Sequence, residues 1–180
     1  MRIALLALDS AGVAQVTVRG FRPGDAAGIV CISRENGAYY QRIAPDVFKT
    51  PDEEGFVEFL EADADWREQP TNLALVAEVS GEVAGYLEAS IQEPLDSARW
   101  QSQRDLGKRR LFISYVGTAD RFKRQGVATR LVQAAEDWGR ARGAVVAVCE
   151  TFIGSDLSVP FWEKRMGYRR QAIIFRKALS

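Results

Sequence analysis

The chain has no histidine. That absence removes the Ser-His-Asp triad, the Cys-His pair and every imidazole metal site. Cysteine is nearly as scarce. Cys31 and Cys149 lie far apart, each in an apolar segment, and cannot build a thiolate zinc cage. They are expected to be buried, reduced thiols of a cytoplasmic protein, and no metal is expected. Net charge is absent as well: 24 basic residues balance 24 acidic ones, so no global field draws nucleic acid or an anionic membrane. Away from the turn described below, the basic run is Arg104, Lys108, Arg109 and Arg110, which a solvated loop accounts for. No apolar run reaches membrane-spanning length, and the short one from Met1 to Leu8 is interrupted by Asp9, so it reads as a strand rather than an export signal. Any proton transfer must therefore use carboxylate, tyrosine, lysine, cysteine or water.

With 180 residues and 47% hydrophobic content, the chain can bury one core, and a single domain over 1–180 is expected. Its most informative stretch is Lys123-Arg124-Gln125-Gly126-Val127-Ala128. Before it, Leu111-Phe112-Ile113-Ser114-Tyr115-Val116 reads as a largely buried strand. After it, Val127, Leu131, Ala134, Ala135, Trp138 and Ala141 recur at helical spacing until Gly143 stops the helix. A glycine where strand turns to helix allows close backbone approach, and the first-turn amides have no intrahelical acceptor. With roughly half a positive charge from the helix dipole, and with Arg121, Lys123 and Arg124 nearby, the turn can cradle an anion such as a pyrophosphate. A plain strand-to-helix turn would share the same motif.

Ile3 to Leu8 and Gln15 to Arg19 flank Asp9-Ser10-Ala11-Gly12, predicting an opening hairpin with an extra strand within 1–14. Pro23-Gly24-Asp25 starts a short helix to about Ser33, and Arg34 to Pro51 is weakly patterned. Tyr39-Tyr40 within it fits core or pocket lining. Thr50-Pro51-Asp52-Glu53 predicts a capped helix start, followed by a stripe of Phe56, Phe59 and Leu60. Glu53, Glu54, Glu58, Glu61, Asp63 and Asp65 make the other side acidic, either as a solvated face or as a patch for a cationic amine. Leu73 to Val79 and Glu82 to Ile91 predict antiparallel strands turned at Ser80-Gly81. The connector 92–110 is long, and its Trp100 could close over a substrate. Ala144 to Thr151 predicts a strand parallel to the one before the turn, because a helix intervenes. A late helix is expected from about Asp156 to Met166, started or kinked at Pro160, then one long strand or a bent pair from Tyr168 to Leu179.

Lys123 to Ala128 resembles the Arg/Gln-x-x-Gly-x-Gly/Ala acyl-coenzyme A signature of the GNAT family of N-acetyltransferases, with lysine in the first slot. Phe161-Trp162-Glu163-Lys164-Arg165-Met166-Gly167-Tyr168 is similar to that family's late helix, and Phe175-Arg176-Lys177-Ala178-Leu179 to its closing strand. Val18 to Asp25 resembles the opening strand and first-helix start, and Ser80 to Tyr86 the central hairpin. The likeness covers Thr71 to the end and, more thinly, Val16 to Asp25.

The resemblance implies an α/β (α+β) fold: a mixed, mostly antiparallel central sheet with a splayed parallel strand pair and about four helices. It implies acetyl-coenzyme A as cosubstrate. By position, Val116, Gly117 and Thr118 would face the pantetheine arm, and Lys123, Arg124, Gln125, Gly126, Val127, Ala128 and Thr129 the pyrophosphate. Ser155 stands where the family commonly has an asparagine contacting the cofactor, and Trp162 where it often has a tyrosine that protonates the departing thiolate. An indole is no acid at neutral pH. The expected reaction is direct transfer of the acetyl group to a primary amine of a small molecule or peptide in a ternary complex. The candidate bases are Glu150, Glu88 and Tyr115, each of which also has an ordinary structural role open to it. A non-catalytic acyl-coenzyme A binding module is the alternative. A nucleotide switch is disfavoured because no Gly-Lys-Ser/Thr follows the turn. A homodimer is compatible with such a chain; nucleic acid and membrane partners are not expected.

Overall fold

The computed structural model describes residues 15–179; the expected first strand and its hairpin turn lie outside them. The chain divides after Cys149 into two compact units. The first holds a five-stranded sheet in the order β1 (Val16–Gly20), β2 (Asn72–Val79), β3 (Glu82–Gln92), β4 (Arg110–Thr118) and β5 (Val146–Cys149). The first four strands pair antiparallel with their neighbours, and β4 pairs parallel with β5. This is the mixed, mostly antiparallel sheet that the sequence implies.

Two helices cover the sheet from opposite faces. Tyr86 and Gly117 are cross-strand partners, so they share a face. A Cβ on Gly117 would lie 2.7 Å from Ile32 and 2.5 Å from Asn36, both on α1 (Ala26–Ile43). One residue along, Gly85 and Thr118 share the other face, where a Cβ on Gly85 would lie 2.5 Å from Val127 of α4 (Val127–Ala141). On the α1 side, Ala26, Ile29, Val30, Leu60, Val76 and Tyr86 form a buried cluster. On α4, Val127, Leu131, Val132 and Ala135 are buried at the spacing the sequence shows.

Several elements differ from the sequence expectation. Helix α1 runs ten residues past Ser33 to Ile43, because its tail has work that hydropathy does not record: Asn36 donates to Tyr115, and Tyr40 packs on Phe48 with ring centroids 5.0 Å apart. Helical rotation puts Cys31 on the outer face with Ala27 and Ala38, so this thiol is exposed rather than buried. Thr50 does not cap a helix; its hydroxyl donates to Gln41, while Arg34 donates to the Pro51 carbonyl at 2.6 Å and ties that turn to α1. The next helix, α2, spans Phe56–Ala62, followed by α3 at Ala64–Glu68. Leu60 is buried in α2 but Phe59 is 64% exposed, so the apolar stripe is narrower than expected.

The second unit contains α5 (Ser158–Pro160), continuing directly as a π-helical turn over Phe161–Arg165. Pro160 thus enters near a helix start, where its missing N–H is harmless. The Met166 amide donates to Phe161 at 3.0 Å and the Tyr168 amide to Trp162 at 2.9 Å, closing the turn. Residues 169–179 form no strand. A strand exists only with a partner backbone, and no described residue pairs with this segment.

The turn into α1 is held by charge. Asp25 is buried and accepts two bonds from Arg19, at 2.7 and 2.8 Å, and one from the Arg22 amide at 2.7 Å. Burial pushes this carboxyl up, but the Arg19 and Arg22 bonds outweigh it and leave it below the ordinary aspartate value of 3.8. A depressed carboxylate contributes stability that is complete above the unfolded value and lost as pH falls through the folded one. Asp25→Asn is expected to cost about 1–3 kcal/mol at pH 7. In urea melts, the gap to wild type should narrow as the pH falls below 3.8.

Candidate active site

The site begins with a defect in β4. Glu88 of β3 pairs with Tyr115, but the next residue, Ala89, pairs with Ile113, so Ser114 is an extra residue on β4. Such a bulge bends its strand and sharpens the local twist. The parallel ladder to β5 ends at the same level, with Ile113 opposite Cys149. Past Ile113, β4 has no ladder partner on that side among the described residues.

Register decides which backbone groups face this open edge. In an antiparallel pair, bonded and non-bonded residue pairs alternate. The Ala119 amide donates to the Ala84 carbonyl at 3.0 Å, which makes Tyr86/Gly117 a bonded pair and leaves Gly85/Thr118 and Leu87/Val116 non-bonded. The amides and carbonyls of Val116 and Thr118 therefore point away from β3, toward the edge that β5 leaves free. Gly117 points its own toward β3. The Thr118 hydroxyl is buried without a partner among the described residues.

The strand then turns into α4. Arg124 and Gly126 both have positive φ, 64° and 82°, with Gln125 between them. Left-handed backbone is natural for glycine but strained for arginine, so the turn is over-determined by its surroundings. Gln125 helps, donating from its side chain to the Arg121 carbonyl at 3.1 Å. Gly126 is the N-cap of α4, and no side chain caps that end. The first intrahelical bond is donated by Arg130 to the Gly126 carbonyl at 3.0 Å, so the amides of Gly126, Val127, Ala128 and Thr129 precede it. A Cβ on Gly126 would meet nothing within 4 Å, so a side chain there has room. The flanking cations contribute less than their number suggests. Lys123 is paired with Asp120 and Arg121 with Glu82, whereas Arg124 is exposed with no ion pair recorded among the described residues. Anion binding here would rest mainly on backbone dipoles.

A partly buried polar cluster lies at the bulge on the α1 face. Tyr86 and Glu88 are two apart on β3 and share that face; the Tyr86 hydroxyl donates to Glu88 Oε1 at 2.7 Å. Tyr115, opposite Glu88, packs its ring 5.9 Å from that of Tyr86, accepts from Asn36 at 3.1 Å and shares a 3.3 Å hydrogen bond with Ser33. Burial raises the Glu88 carboxyl above its ordinary 4.5, with Asp63 adding to the rise and the Tyr86 bond and Arg67 opposing it. Burial also raises Tyr115, against the bonds from Ser33 and Asn36. Tyr86 is raised by burial and then by Glu88. Glu88 and Tyr115, both expected in the site from the sequence, face one another across β3 and β4, and Tyr86, Ser33 and Asn36, which the sequence does not single out, complete the cluster. The alternation of β3 could have paired Tyr86 with Glu88; nothing local marks the two α1 residues.

The remaining candidates belong to the second unit. Glu150 is its first residue, exposed and outside any strand. Ser155 is buried, and its hydroxyl accepts from the Ser158 amide at 3.0 Å at the start of α5. Trp162 is buried with its ring 5.1 Å from Phe161 and 4.8 Å from Tyr168.

Strand β4 thus carries a bulge, loses its parallel neighbour past Ile113 and runs through a turn into a helix that no side chain caps, and residues 37–168 match the model of the Acetyltransferase (GNAT) family. The chain belongs to that family. No curated protein matches it. Among solved structures, it is similar to a transcriptional regulator from Bacillus halodurans C-125, with 19% identity over 92% of this chain and 100% of that one, and a TM-score of 0.70. It is also similar to an aminoglycoside acetyltransferase from an uncultured soil metagenomic sample in complex with sisomicin, with 16% identity over 92% and 97% of the two chains and a TM-score of 0.61. Aminoglycoside N-acetyltransferase AAC(6')-Iy in complex with CoA matches with 15% identity over 92% and 97%, and a TM-score of 0.62. At these identities the structures share the fold.

Gly126→Asp tests the turn. Aspartate is a favourable N-cap residue and tolerates left-handed backbone better than most, so the fold should persist. Its carboxylate would occupy the first-turn amides and repel a phosphate. Calorimetry with acetyl-coenzyme A is expected to show at least a roughly tenfold loss of affinity in the folded variant.

Proposed function

We propose that the protein is an N-acetyltransferase that moves the acetyl group of acetyl-coenzyme A to a primary amine of a small molecule or peptide by direct attack in a ternary complex. The observation that carries this reading is the coincidence, at one level of the sheet, of three features: the β4 bulge, the end of the β5 ladder and a half-buried carboxylate, Glu88, with a raised pKa.

The thioester of acetyl-coenzyme A supplies an already activated acyl group, so the protein needs positioning and modest proton transfer rather than a nucleophile of its own. Val116 and Thr118 would offer main-chain groups to the pantetheine arm, much as an added strand would use them, and the partnerless Thr118 hydroxyl fits a site that a ligand completes. The amides from Gly126 to Thr129 would take the pyrophosphate. These contacts are to backbone, which is why lysine is tolerated at position 123.

An amine arrives as an ammonium ion and must lose a proton before it attacks. Of the three candidate bases, we favour Glu88: it is half-buried beside the bulge, whereas Glu150 is exposed and Tyr115 is a phenol raised further by burial. A carboxylate lifted toward neutrality is a better general base than an ordinary one, because its pKa lies closer to the working pH. The half-buried Asp63, which bears on Glu88, would favour a cationic acceptor, in keeping with small polyamines. The runner-up, a non-catalytic acyl-coenzyme A binding module, is motivated by Trp162. A coenzyme A thiolate is a competent leaving group at neutral pH, however, so no acid is required there.

Release of free thiol with a panel of amines separates the two readings: turnover supports the enzyme, and tight acetyl-coenzyme A binding without turnover supports the module. Glu88→Gln is expected to lower kcat/KM by about 10²–10⁴-fold and to abolish the acid limb of its pH profile, which in wild type should lie above 4.5. The sign for stability is opposite. A raised carboxyl favours its protonated form on folding, so ionisation costs stability as pH rises past the unfolded value, and Glu88→Gln should melt no lower than wild type at pH 7. Glu150→Gln, measured in parallel, should retain the limb; loss of the limb there would transfer the role to Glu150. Trp162→Phe is expected to keep turnover within about tenfold of wild type, and a larger loss with normal cofactor affinity would make the indole N–H a participant.

A further inference from the structure

Tyr86 does nothing in the transfer as written, yet it is 2% exposed and spends its only donor on a carboxylate two residues away on the same strand. The ring is fixed by the buried cluster of Ile29, Leu60 and Val76 and by the Tyr115 ring. Its cross-strand partner is Gly117, which has no side chain to crowd it. A phenol this confined has little freedom to turn its O–H elsewhere. The bond engages Oε1 of Glu88, and no other side-chain bond to Glu88 is recorded among the described residues.

We propose that Tyr86 is a positioning residue for Glu88, holding Oε1 by its hydroxyl so that Oε2 is left to take the proton of the incoming amine. This rests on the reading of Glu88 as the base and adds a second residue to it. The balance is simple: an N–H bond of the ammonium breaks and its proton joins Oε2, the freed nitrogen lone pair attacks the acyl carbon, the C–S bond breaks with its electron pair leaving on the coenzyme A thiolate, and the proton shed as the amide forms passes to that thiolate, while the Tyr86 proton stays on its own oxygen.

The groups that face Glu88 allow the effect of Tyr86 to be separated from theirs. From β4 there is Tyr115, which is held by Ser33 and Asn36 of α1. From the α2–α3 segment there are Asp63, which disfavours the charged carboxylate, and Arg67, which favours it. Arg67 is itself committed, donating to the Leu60 carbonyl at 2.6 Å and the Glu61 carbonyl at 3.1 Å and lying over the Phe21 ring. Tyr86 therefore supplies the direct bond that stabilises the ionised base. Its removal acts on the acid limb, while loss of packing alone would act at every pH.

The test is Tyr86→Phe, which keeps the ring and removes the donor. Its acid limb in kcat/KM should move upward by about one pH unit, with activity recovering as the pH is raised and acetyl-coenzyme A affinity unchanged. The carbon-13 carboxylate shift of Glu88, followed against pH in wild type and variant, should report the same displacement without relying on turnover. If the variant does not fold, replacing Tyr86 with 3-fluorotyrosine, a stronger donor of the same shape, should move both readouts downward. A folded Tyr86→Phe variant whose limb and Glu88 titration stay in place would overturn the proposal, as would a loss equal at all pH values. Failure of the underlying reading shows separately: Glu88→Gln would then keep the limb, whatever Tyr86→Phe does.

Discussion

The extra residue at Ser114 is the constraint on which the rest of the first unit turns. One added residue in β4 shifts the register by one between Glu88/Tyr115 and Ala89/Ile113. Below the bulge, β4 can serve two neighbours and pairs with both β3 and β5. Above it, the ladder to β5 is gone while that to β3 continues to Thr118. A fully paired β4 would leave no amide or carbonyl for anything else, since buried backbone polar groups rarely stay unpaired. The same residue brings Tyr115 opposite Glu88 on the α1 face, so the open edge and the partly buried polar cluster have one geometric origin.

Electrostatics in this region are arranged by burial and backbone more than by net charge. Two of the three cations flanking the turn into α4 are matched by acids, Lys123 with Asp120 and Arg121 with Glu82. What remains is Arg124, exposed with no ion pair recorded among the described residues, and the helix end itself, which no side chain caps. At the bulge the logic is similar: Glu88 is raised chiefly by loss of water, and the neighbouring charges Asp63 and Arg67 work against one another. A chain with zero net charge can hold sites for an anion and for an ammonium ion only by such local means.

Helix α1 links these parts. Its first half is an ordinary core element, with Ala26, Ile29, Val30 and Ile32 buried. Its second half carries Ser33 and Asn36 to the Tyr115 hydroxyl, Glu35 to the Asp120 amide at 2.7 Å beside the turn, and Tyr40 to Phe48. The helix is thus longer than its apolar stripe because its later turns bond to groups on and just after β4.

The alternation of β2 and β3, the turn at Ser80-Gly81, the amphipathic α4 and the glycine before it were all legible in the sequence, because each depends on contacts within a few residues. Those elements also placed the strand-to-helix turn at Gly126 and the antiparallel pairing of β2 with β3; the mixed sheet came from the resemblance to the family, and the exclusion of histidine chemistry from composition. Local signals failed where a distant partner decided the outcome. Thr50 has the pattern of a helix cap, but its hydroxyl is taken by Gln41; Cys31 lies in an apolar run but faces outward; Tyr168 to Leu179 has strand-forming residues but forms no strand. The bulge itself carries no mark in Ile113-Ser114-Tyr115, since an unpaired residue is defined only by the strand opposite. Glu88 is half-buried, bonded to Tyr86 of its own strand and opposite Tyr115 of β4, and desolvation by residues remote in sequence is a property of the assembled sheet and helix alone.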